Sequence, residues 1–306
     1  MQTKILQNEY WWGGCVHDGV NQPYHSGSNV RINLTDEQSN QAASLFLSSK
    51  GRYIWREKPF VFEIKDGTIT ADAKLFEGYA TLKGAYHAAQ SAHFPFDVQP
   101  PVQEFFEMPQ YNTWIQLIHE QNQEGIIKYA NDIVKNKFPA GIMMIDAGWD
   151  RYFGSFEFRY YKFPQPNAMV EELHRLGFKV MLWVSPNISP DTTTFRYLLK
   201  NDMLVKDSGG DVAIRRWWDG FSAVLDLTNP AAVDWFEGNL NQLIKDFGID
   251  GFKFDAGDNY FYRDDDTLFS PCTANEHSKL FCEFAGKYQY NELRTGWNCG
   301  GKSLVW

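Results

Sequence analysis

Two carboxylates follow a short apolar run in residues 249–258, IDGFKFDAGD. The run has the length and composition of a buried strand, and it ends at Asp255, which is followed by alanine, glycine and Asp258. An aspartate at the C-terminal end of a strand in a β/α barrel can serve as a nucleophile or as an acid/base carboxylate. It can equally cap the next helix or stabilise a turn. This segment alone leaves both interpretations open.

Two other predicted strands end in residues that suit the same kind of cavity. One is followed by residues 146–150, DAGWD, and the other contains Trp183 and is followed by Ser-Pro-Asn. Carboxylates accept hydrogen bonds from hydroxyl groups, and indole rings offer the flat apolar surface on which the C–H face of a sugar packs. Since the ends of parallel strands meet at one edge of a sheet, the three strand ends predict a cleft for a sugar ring.

The elements that must position these side chains alternate between strand and helix after residue 110. Near-continuous apolar runs predict strands, and helical spacing predicts a helix that begins at Asn229-Pro230, a cap followed by proline. This rhythm indicates a parallel sheet, either open or closed into a barrel. Roughly 195 residues follow position 110, fewer than the roughly 250 of a complete barrel, so the predicted barrel is partial. The predicted strands are 113–118, 141–146, 179–184 and 251–255, with a fifth near 291–295.

Residues 1–105 have a different texture, which predicts an all-β sandwich domain. β-branched and aromatic runs recur, Asp66-Gly67 is a strong hairpin signal, and no helical period of comparable strength stands out. The proline-containing segment 94–101 marks the expected boundary. The predicted fold class is therefore α/β: an N-terminal all-β sandwich, 1–105, followed by a partial TIM (β/α)8 barrel, 106–306. The predicted strands of the sandwich are 30–34, 44–47, 53–55, 60–64 and 68–70.

Composition excludes several classes of function. A formal net charge of −9 without a basic run argues against nucleic-acid binding. No stretch reaches the ~18 apolar residues of a membrane span. The first residues, MQTKILQNEYWW, are not a signal peptide, which leaves the compartment open between cytoplasmic and secreted with the signal removed. The four cysteines and seven histidines show no metal-ligand spacing, and no P-loop or dinucleotide fingerprint is present, so we expect neither metal nor cofactor.

The same segments resemble glycoside hydrolase family 31, the retaining α-glycosidases. The resemblance rests on four motifs in family order: GIMMIDAGWD (141–150), KFPQPNAMVEELHRLGFKVMLWVSPNI (162–188), VLDLTNPAAVDWF (224–236) and GIDGFKFDAGD (248–258). It is strong over about 120 residues and looser over about 190. It implies a retaining exo-α-glycosidase, of the α-galactosidase or α-glucosidase type, that releases a terminal sugar from an oligosaccharide or glycoside.

The resemblance also implies roles for individual residues. Asp255 matches the catalytic nucleophile, which forms a covalent glycosyl-enzyme intermediate. Lys253 matches the lysine of a KxD form, typical of the α-xylosidase-like, α-galactosidase-like and myogenesis-regulating-glycosidase-like branches rather than of the α-glucosidase branch. Lys253 and the other matching positions are expected to bind the substrate; these other positions are Asp146, Trp149, Trp183, Asp258 and Arg294.

Two departures from the family pattern limit what the resemblance implies. Asp258 stands where most relatives have glutamate, one methylene longer. The family's general acid/base is an aspartate beyond the strand after Arg294, and the chain ends at Trp306 before that position. We therefore expect the 306-residue chain alone to be inactive or nearly so. The alternatives are a non-catalytic carbohydrate-binding pseudoenzyme of the same fold and an unrelated β/α enzyme that holds a cation between its aspartates.

Overall fold

A computed structural model describes residues 1–35, 41–96 and 100–305 of the chain. Its N-terminal part contains two β-sheets, one in the order β1-β7-β6-β3 and one in the order β4-β5-β8 with β2 beside β4. The strands are β1 (Gln2–Lys4), β2 (Trp11–Cys15), β3 (Val30–Asn33), β4 (Gln41–Ser48), β5 (Tyr53–Trp55), β6 (Val61–Lys65), β7 (Thr68–Ala71) and β8 (Lys74–Phe76).

The two sheets pack face to face, as the alternation of apolar residues predicts. Phe46 of β4 stacks on Phe62 of β6 with ring centroids 3.8 Å apart, and both side chains are fully buried. The predicted hairpin is present between β6 and β7: Lys65 pairs with Thr68, and both Asp66 and Gly67 have positive φ. A two-residue connection of this kind matches the twist of the strands that it joins. The predicted sandwich is confirmed.

One helix interrupts the predicted all-β region. Helix α1 (Leu82–His93) begins at Thr81, whose hydroxyl accepts a hydrogen bond from the Gly84 amide at 3.1 Å. Its buried face consists of Ala85 and Ala89, which pack near Tyr53. The expectation of no helix here is wrong because two alanines make only a weak apolar stripe. Part of the expected boundary segment, 97–99, lies outside the described residues.

The second part of the chain forms a five-stranded parallel sheet in the order β9-β10-β11-β15-β16, covered by helices. Its elements, with those of the connections, are α2 (Glu104–Glu107), β9 (Gln110–Asn112), α3 (Thr113–Leu117), α4 (Gln123–Lys135), β10 (Ile142–Ile145), α5 (Pro166–Arg175), β11 (Lys179–Val184), β12 (Asn187–Ile188), α6 (Thr193–Lys200), β13 (Arg215–Trp217), β14 (Gly220–Val224), α7 (Pro230–Phe247), β15 (Gly251–Phe254), α8 (Ala274–Ala285), β16 (Tyr290–Leu293) and β17 (Gly296–Trp297).

The first barrel strand lies earlier than predicted. Strand β9 ends at Asn112, and residues 113–117 are helical. The Asn112 side chain accepts a hydrogen bond from the Trp114 amide at 2.8 Å, which caps the helix and ends the strand. The predicted strand at 113–118 is therefore wrong. The other four predicted strands and helix α7, capped by Asn229 with Pro230 at its first position, are present.

The last strand joins the two parts of the molecule. Strand β17 leaves the barrel and pairs in parallel with β4 of the sandwich, where Trp297 is buried in the sandwich core. The division into 1–105 and 106–306 stays a prediction. Within the described residues, no helix has the length and apolar character needed to cross a membrane.

Candidate active site

The C-terminal ends of the barrel strands open into a cavity of about 690 Å³. Six of the seven predicted site residues line it: Asp146, Trp183, Lys253, Asp255, Asp258 and Arg294. A second cavity, of about 430 Å³, lies between β4, α1 and the segment after β17 and has no charged side chain in its wall. The residues that the sequence singled out for chemistry therefore meet in the first cavity.

Asp255 lies at the end of β15 with its carboxylate held at both oxygens. Its Oδ2 accepts a hydrogen bond from the Trp183 indole at 2.8 Å, and its Oδ1 accepts one from the Ala256 amide at 2.7 Å and another from Arg294 Nε. Burial by itself raises the pKa of Asp255, but the charges of Arg294 and Lys253 and these hydrogen bonds outweigh burial and lower it. The carboxylate is thus ionised and fixed in direction.

Arg294 joins two of the predicted carboxylates. Its Nε donates to Asp255, while Nη1 donates to Asp258 Oδ1 at 3.2 Å and Nη2 donates to Asp258 Oδ2. Burial opposes the charge of Arg294, but the two carboxylates raise its pKa further. Asp258, despite being shorter than glutamate, therefore reaches the arginine directly. Its position makes it a partner of Arg294 that holds the guanidinium against Asp255.

Lys253 and Asp146 form a second ion pair in the cavity. Lys253 Nζ donates to Asp146 Oδ2 at 2.9 Å, and the same oxygen accepts a hydrogen bond from Asn112 Nδ2 at 2.9 Å. Burial disfavours the charge of Lys253, yet Asp146 and Asp255 raise its pKa overall. Strand pairing brings these residues together, because β10 neighbours both β9 and β11 and β11 neighbours β15.

The two predicted tryptophans occupy different places. Trp183 lines the cavity and donates to Asp255. Trp149 is 1% exposed in the core behind the cavity, where its indole donates to the Trp183 carbonyl at 2.7 Å. The expectation that Trp149 contacts the substrate does not fit this position, because Trp149 is buried and is not part of the cavity wall. Trp149 instead supports the strand that carries Trp183.

Sequence reasoning missed the side chains that form the outer wall. Trp217, Trp218 and Asp219 come from the hairpin β13–β14, which lies between α6 and α7. The available signal was the segment WWDG at 217–220, whose Asp-Gly dipeptide favours a turn. The remaining missed wall residues are Trp114, Ala147, Arg216, Tyr260 and Phe261.

The cavity offers an ionised carboxylate, several hydrogen-bonding groups and a wall of indoles. This set suits a polyhydroxylated ring whose apolar face packs on an aromatic surface. Within the described parts of the chain, no cluster of three or more His, Cys, Asp or Glu side chains has the arrangement of a metal site.

Comparisons with known proteins identify the family. Residues 106–292 match the profile of the glycosyl hydrolases family 31 TIM-barrel domain, which is more than half of the chain. The chain belongs to glycoside hydrolase family 31. The partial barrel and the preceding sandwich agree with the fold of this family's solved members.

Named relatives are similar in sequence to part of this chain. The myogenesis-regulating glycosidase of Mus musculus is 32% identical over 200 residues, which cover 64% of this chain and 28% of the relative. The alpha-xylosidase XylQ of Lactiplantibacillus pentosus is 28% identical over 141 residues, 45% of this chain and 18% of the relative. The chain thus spans less than a third of the length of either relative.

The family 31 fold extends over nearly the whole chain. The dextranase FjDex31A of Flavobacterium johnsoniae, solved with glucose, superposes with a TM-score of 0.76 at 17% identity. The superposition covers 98% of this chain and 40% of the dextranase. At this identity the likeness describes the fold.

Proposed function

We propose that the protein is a retaining exo-α-glycosidase in which Asp255 is the nucleophile. The observation that carries the proposal is the buried Asp255 carboxylate, whose pKa is lowered despite burial and which Arg294 and Trp183 hold at the cavity floor. A nucleophilic carboxylate must be ionised when it attacks the anomeric carbon, and its direction must be fixed beforehand. Both requirements are met by these contacts.

The roles of the neighbouring residues follow from their contacts. Asp255 forms a bond to the anomeric carbon as the glycosidic oxygen leaves, and water then hydrolyses the resulting ester. Asp146 and Lys253, paired at 2.9 Å, offer an acceptor and a donor to the hydroxyl groups of the same sugar. Trp183 combines two functions, since it orients Asp255 and presents part of the aromatic wall.

We further propose that the general acid/base lies outside residues 1–306 and that this chain alone is inactive or nearly so. A retaining mechanism needs a second carboxyl group about 5–5.5 Å from the nucleophile. Of the other cavity carboxylates, Asp146 and Asp258 already accept hydrogen bonds from Lys253 and Arg294, and Asp219 lies at the tip of the hairpin in the outer wall. General acid catalysis contributes roughly 10²- to 10⁴-fold, so normal turnover of an aryl α-glycoside by the isolated chain would contradict this proposal.

Trapping with a 2-deoxy-2-fluoro-α-glycosyl fluoride tests Asp255 directly. Fluoride departs without protonation, so the label forms even where the general acid is lacking, and the fluorine at C2 slows hydrolysis of the ester. The reagent is applied to the intact protein, meaning the full-length protein that contains this chain. After digestion, we expect peptide mass spectrometry to place the added sugar on Asp255. The variant Asp255→Asn is the control and should remain unlabelled. Failure of the wild-type protein to acquire a label on Asp255 would refute the assignment.

The sugar specificity that we propose is of the α-galactosidase or a related type, with the α-glucosidase type as the alternative. The support is Lys253, placed two residues before Asp255, together with the named relatives, which include two alpha-xylosidases and one alpha-glucosidase. A panel of aryl α-galactoside, α-glucoside, α-xyloside and α-sulfoquinovoside substrates, assayed with the intact protein, distinguishes these sugars.

A second candidate function is non-catalytic carbohydrate binding by the same cavity. The observation in its favour is the residue type of Asp258, which by the family resemblance stands where most relatives have glutamate. A binder would recognise the sugars of the panel without releasing the aglycone and without labelling Asp255. Equilibrium binding measured alongside turnover therefore separates the two candidates.

A further inference from the structure

The hairpin β13–β14 carries a carboxylate to the mouth of the cavity. Trp217 pairs with Gly220 in the hairpin, so Trp218 and Asp219 form its two-residue tip. Both tip residues line the same cavity as Asp255. Strand β14 also pairs with β12, which directly follows the Trp183 strand, so the hairpin is built onto the barrel.

Contacts at the base of the hairpin fix its position. Arg215 donates through Nε to the Phe261 carbonyl at 3.0 Å and forms an ion pair with Asp266, whose side chain is 1% exposed. Trp217 packs nearly parallel to Trp183, with ring centroids 6.3 Å apart, and its indole donates to Ser222 at 3.1 Å. The tip is therefore presented by a rigid platform rather than by an irregular loop.

Asp219 differs from the other three carboxylates in the cavity wall. Asp146, Asp255 and Asp258 each accept hydrogen bonds from a lysine or an arginine. Asp219 accepts no hydrogen bond from any residue that the structure describes. Burial raises the pKa of Asp219, and so do the charges of Asp255 and Asp146, while His119 opposes them. Asp219 is therefore close enough to the carboxylates of the cavity floor to interact with them electrostatically.

Trp218 supplies an apolar surface beside this carboxylate. One side of its ring faces the Arg294 guanidinium, whose carbon lies 4.8 Å from the ring centroid, and 54% of the residue surface is exposed. The tip thus combines an open indole with an acceptor that has no hydrogen-bond donor among the residues that the structure describes. This pairing is what a ring with apolar C–H faces and equatorial or axial hydroxyl groups requires.

We propose that Asp219 is a specificity-determining residue that accepts a hydrogen bond from one hydroxyl group of the sugar bound above Asp255. The inference rests on the function proposed above and narrows the substrate class. It favours sugars that carry an uncharged hydroxyl group at the position that Asp219 faces. A sugar with hydrogen in place of that hydroxyl leaves the carboxylate unsatisfied, and one with an anionic group there is repelled by it.

The test pairs variants of Asp219 with modified substrates in the intact protein. We expect Asp219→Ala to lower kcat/KM for the preferred aryl α-glycoside by roughly 10- to 100-fold, the range for a hydrogen bond to a charged group. For the deoxy analogue that lacks the contacted hydroxyl, wild-type protein and variant should differ by less than about twofold, because the interaction is already gone. Asp219→Asn, which keeps an acceptor oxygen, should retain an intermediate value.

A matched control and two outcomes decide the inference. Asp211→Ala removes an exposed carboxylate from the same connection, outside the cavity wall, and should leave all values within about twofold of wild type. Equal losses for Asp219→Ala on every deoxy analogue would overturn the inference. So would a loss that grows with the pKa of the leaving group and is restored by azide, since that pattern identifies a proton donor.

Binding measurements keep this inference separate from the proposed function. If the wild-type protein neither turns over the panel nor labels Asp255, the proposed function fails. Tryptophan fluorescence titrated with the free monosaccharides and their deoxy analogues then tests Asp219 without turnover. Selective weakening of one sugar by Asp219→Ala supports the hydroxyl contact, whereas binding unaffected by the substitution, or undetectable in the wild-type protein, refutes it.

Discussion

Among single residues, Arg294 has the largest effect on the ionisation of the carboxylate at the cavity floor. Its guanidinium contacts Asp255 and Asp258 at once, an arrangement that a planar fork of donors provides and a single ammonium group does not. Its charge is the largest of the influences that lower the pKa of Asp255 against burial. The ionisation of the proposed nucleophile is therefore a property of this one contact more than of the strand that carries it.

Replacing Arg294 by lysine should move the acid limb of the kcat/KM profile to higher pH. Weaker interaction with the cation raises the pKa of Asp255, so a smaller fraction of the carboxylate is ionised at a given acidic pH. Activity at neutral pH should also fall by roughly 10- to 100-fold through the lost hydrogen bonds. The pH profile of the intact protein measures both effects. Arg196→Lys, which changes an exposed ion pair with Asp191, is the control. An unshifted acid limb in Arg294→Lys would contradict the prediction.

Asp150 should make the protein less stable as pH rises, whereas a carboxylate paired with a cation makes it more stable. Burial raises its pKa to about 7, and its Oδ1 has no hydrogen-bond partner among the described residues. The unfolded chain releases this proton near pH 4, whereas the folded protein keeps it until about pH 7. The free energy of unfolding therefore falls as pH rises through that window.

The variant Asp150→Asn should gain stability relative to wild type as pH rises from about 4 to about 7. Asparagine does not titrate, so the difference should grow by up to about 1.4 kcal/mol per pH unit in that window. Urea unfolding of both proteins at several pH values measures the difference. A difference that stays constant with pH would show that Asp150 titrates alike in the folded and unfolded states.

Among the structural elements, the turn after β15 sets the relative positions of Asp255 and Asp258. Ala256 and Gly257 both have positive φ, which turns the chain sharply between Asp255 and Asp258. A Cβ atom on Gly257 would lie 2.3 Å from the ring of Phe281, which is fully buried. By contrast, Gly238 lies within α7 with nothing within 4 Å of its Cβ position.

Alanine at these two glycines should have opposite effects on stability. Gly257→Ala should lower the free energy of unfolding by about 2–5 kcal/mol, from left-handed backbone strain and overpacking combined. Gly238→Ala should raise it by about 0.5–1 kcal/mol, because alanine is the better helix former. Urea denaturation measures both. Equal effects of the two substitutions would mean that the turn after β15 tolerates a side chain and does not fix the spacing of the carboxylates.

The pairing of β17 with β4 links the sandwich to the barrel at the scale of the whole molecule. Gln41 donates to the carbonyl of Arg294 at 2.7 Å, so a sandwich strand holds the backbone of a cavity residue. Asn298, just after β17, has positive φ and accepts a hydrogen bond from the Ser44 amide at 2.9 Å. Its amide nitrogen donates to the Glu57 carbonyl at 3.2 Å.

Removing the Asn298 side chain should therefore destabilise the molecule more than removing an asparagine elsewhere. Asn298→Ala should lower the free energy of unfolding by about 1–3 kcal/mol, since alanine keeps neither the contacts to the sandwich nor the tolerance of positive φ. Asn131→Ala is the control, because that side chain only contacts a carbonyl one turn earlier in α4, and should change it by less than about 0.5 kcal/mol. Equal effects in urea denaturation would refute the proposed link.

The amino-acid sequence by itself determined the order of the elements and the strand ends that carry polar residues. Apolar runs predicted four of the five barrel strands, the Asp-Gly turn predicted the β6–β7 hairpin, and Asn229-Pro230 marked the start of α7. These features are predictable because hydrophobic period, turn chemistry and capping depend on residues close together in the chain. Helix α1, with its weak alanine stripe, and the end of β9 at the Asn112 cap were not predicted, because their local signals are weak.

Only the tertiary structure decided which side chains meet. Three arrangements join residues far apart in the chain: the pairing of Arg294 with two carboxylates, the hydrogen bond from Trp149 to the Trp183 carbonyl, and the placement of Asp219 in the cavity wall by a hairpin. The placement of β17 beside β4 is of the same kind. Local patterns carry no information on these distances, because burial and charge pairing depend on how the strands and their connections pack in three dimensions.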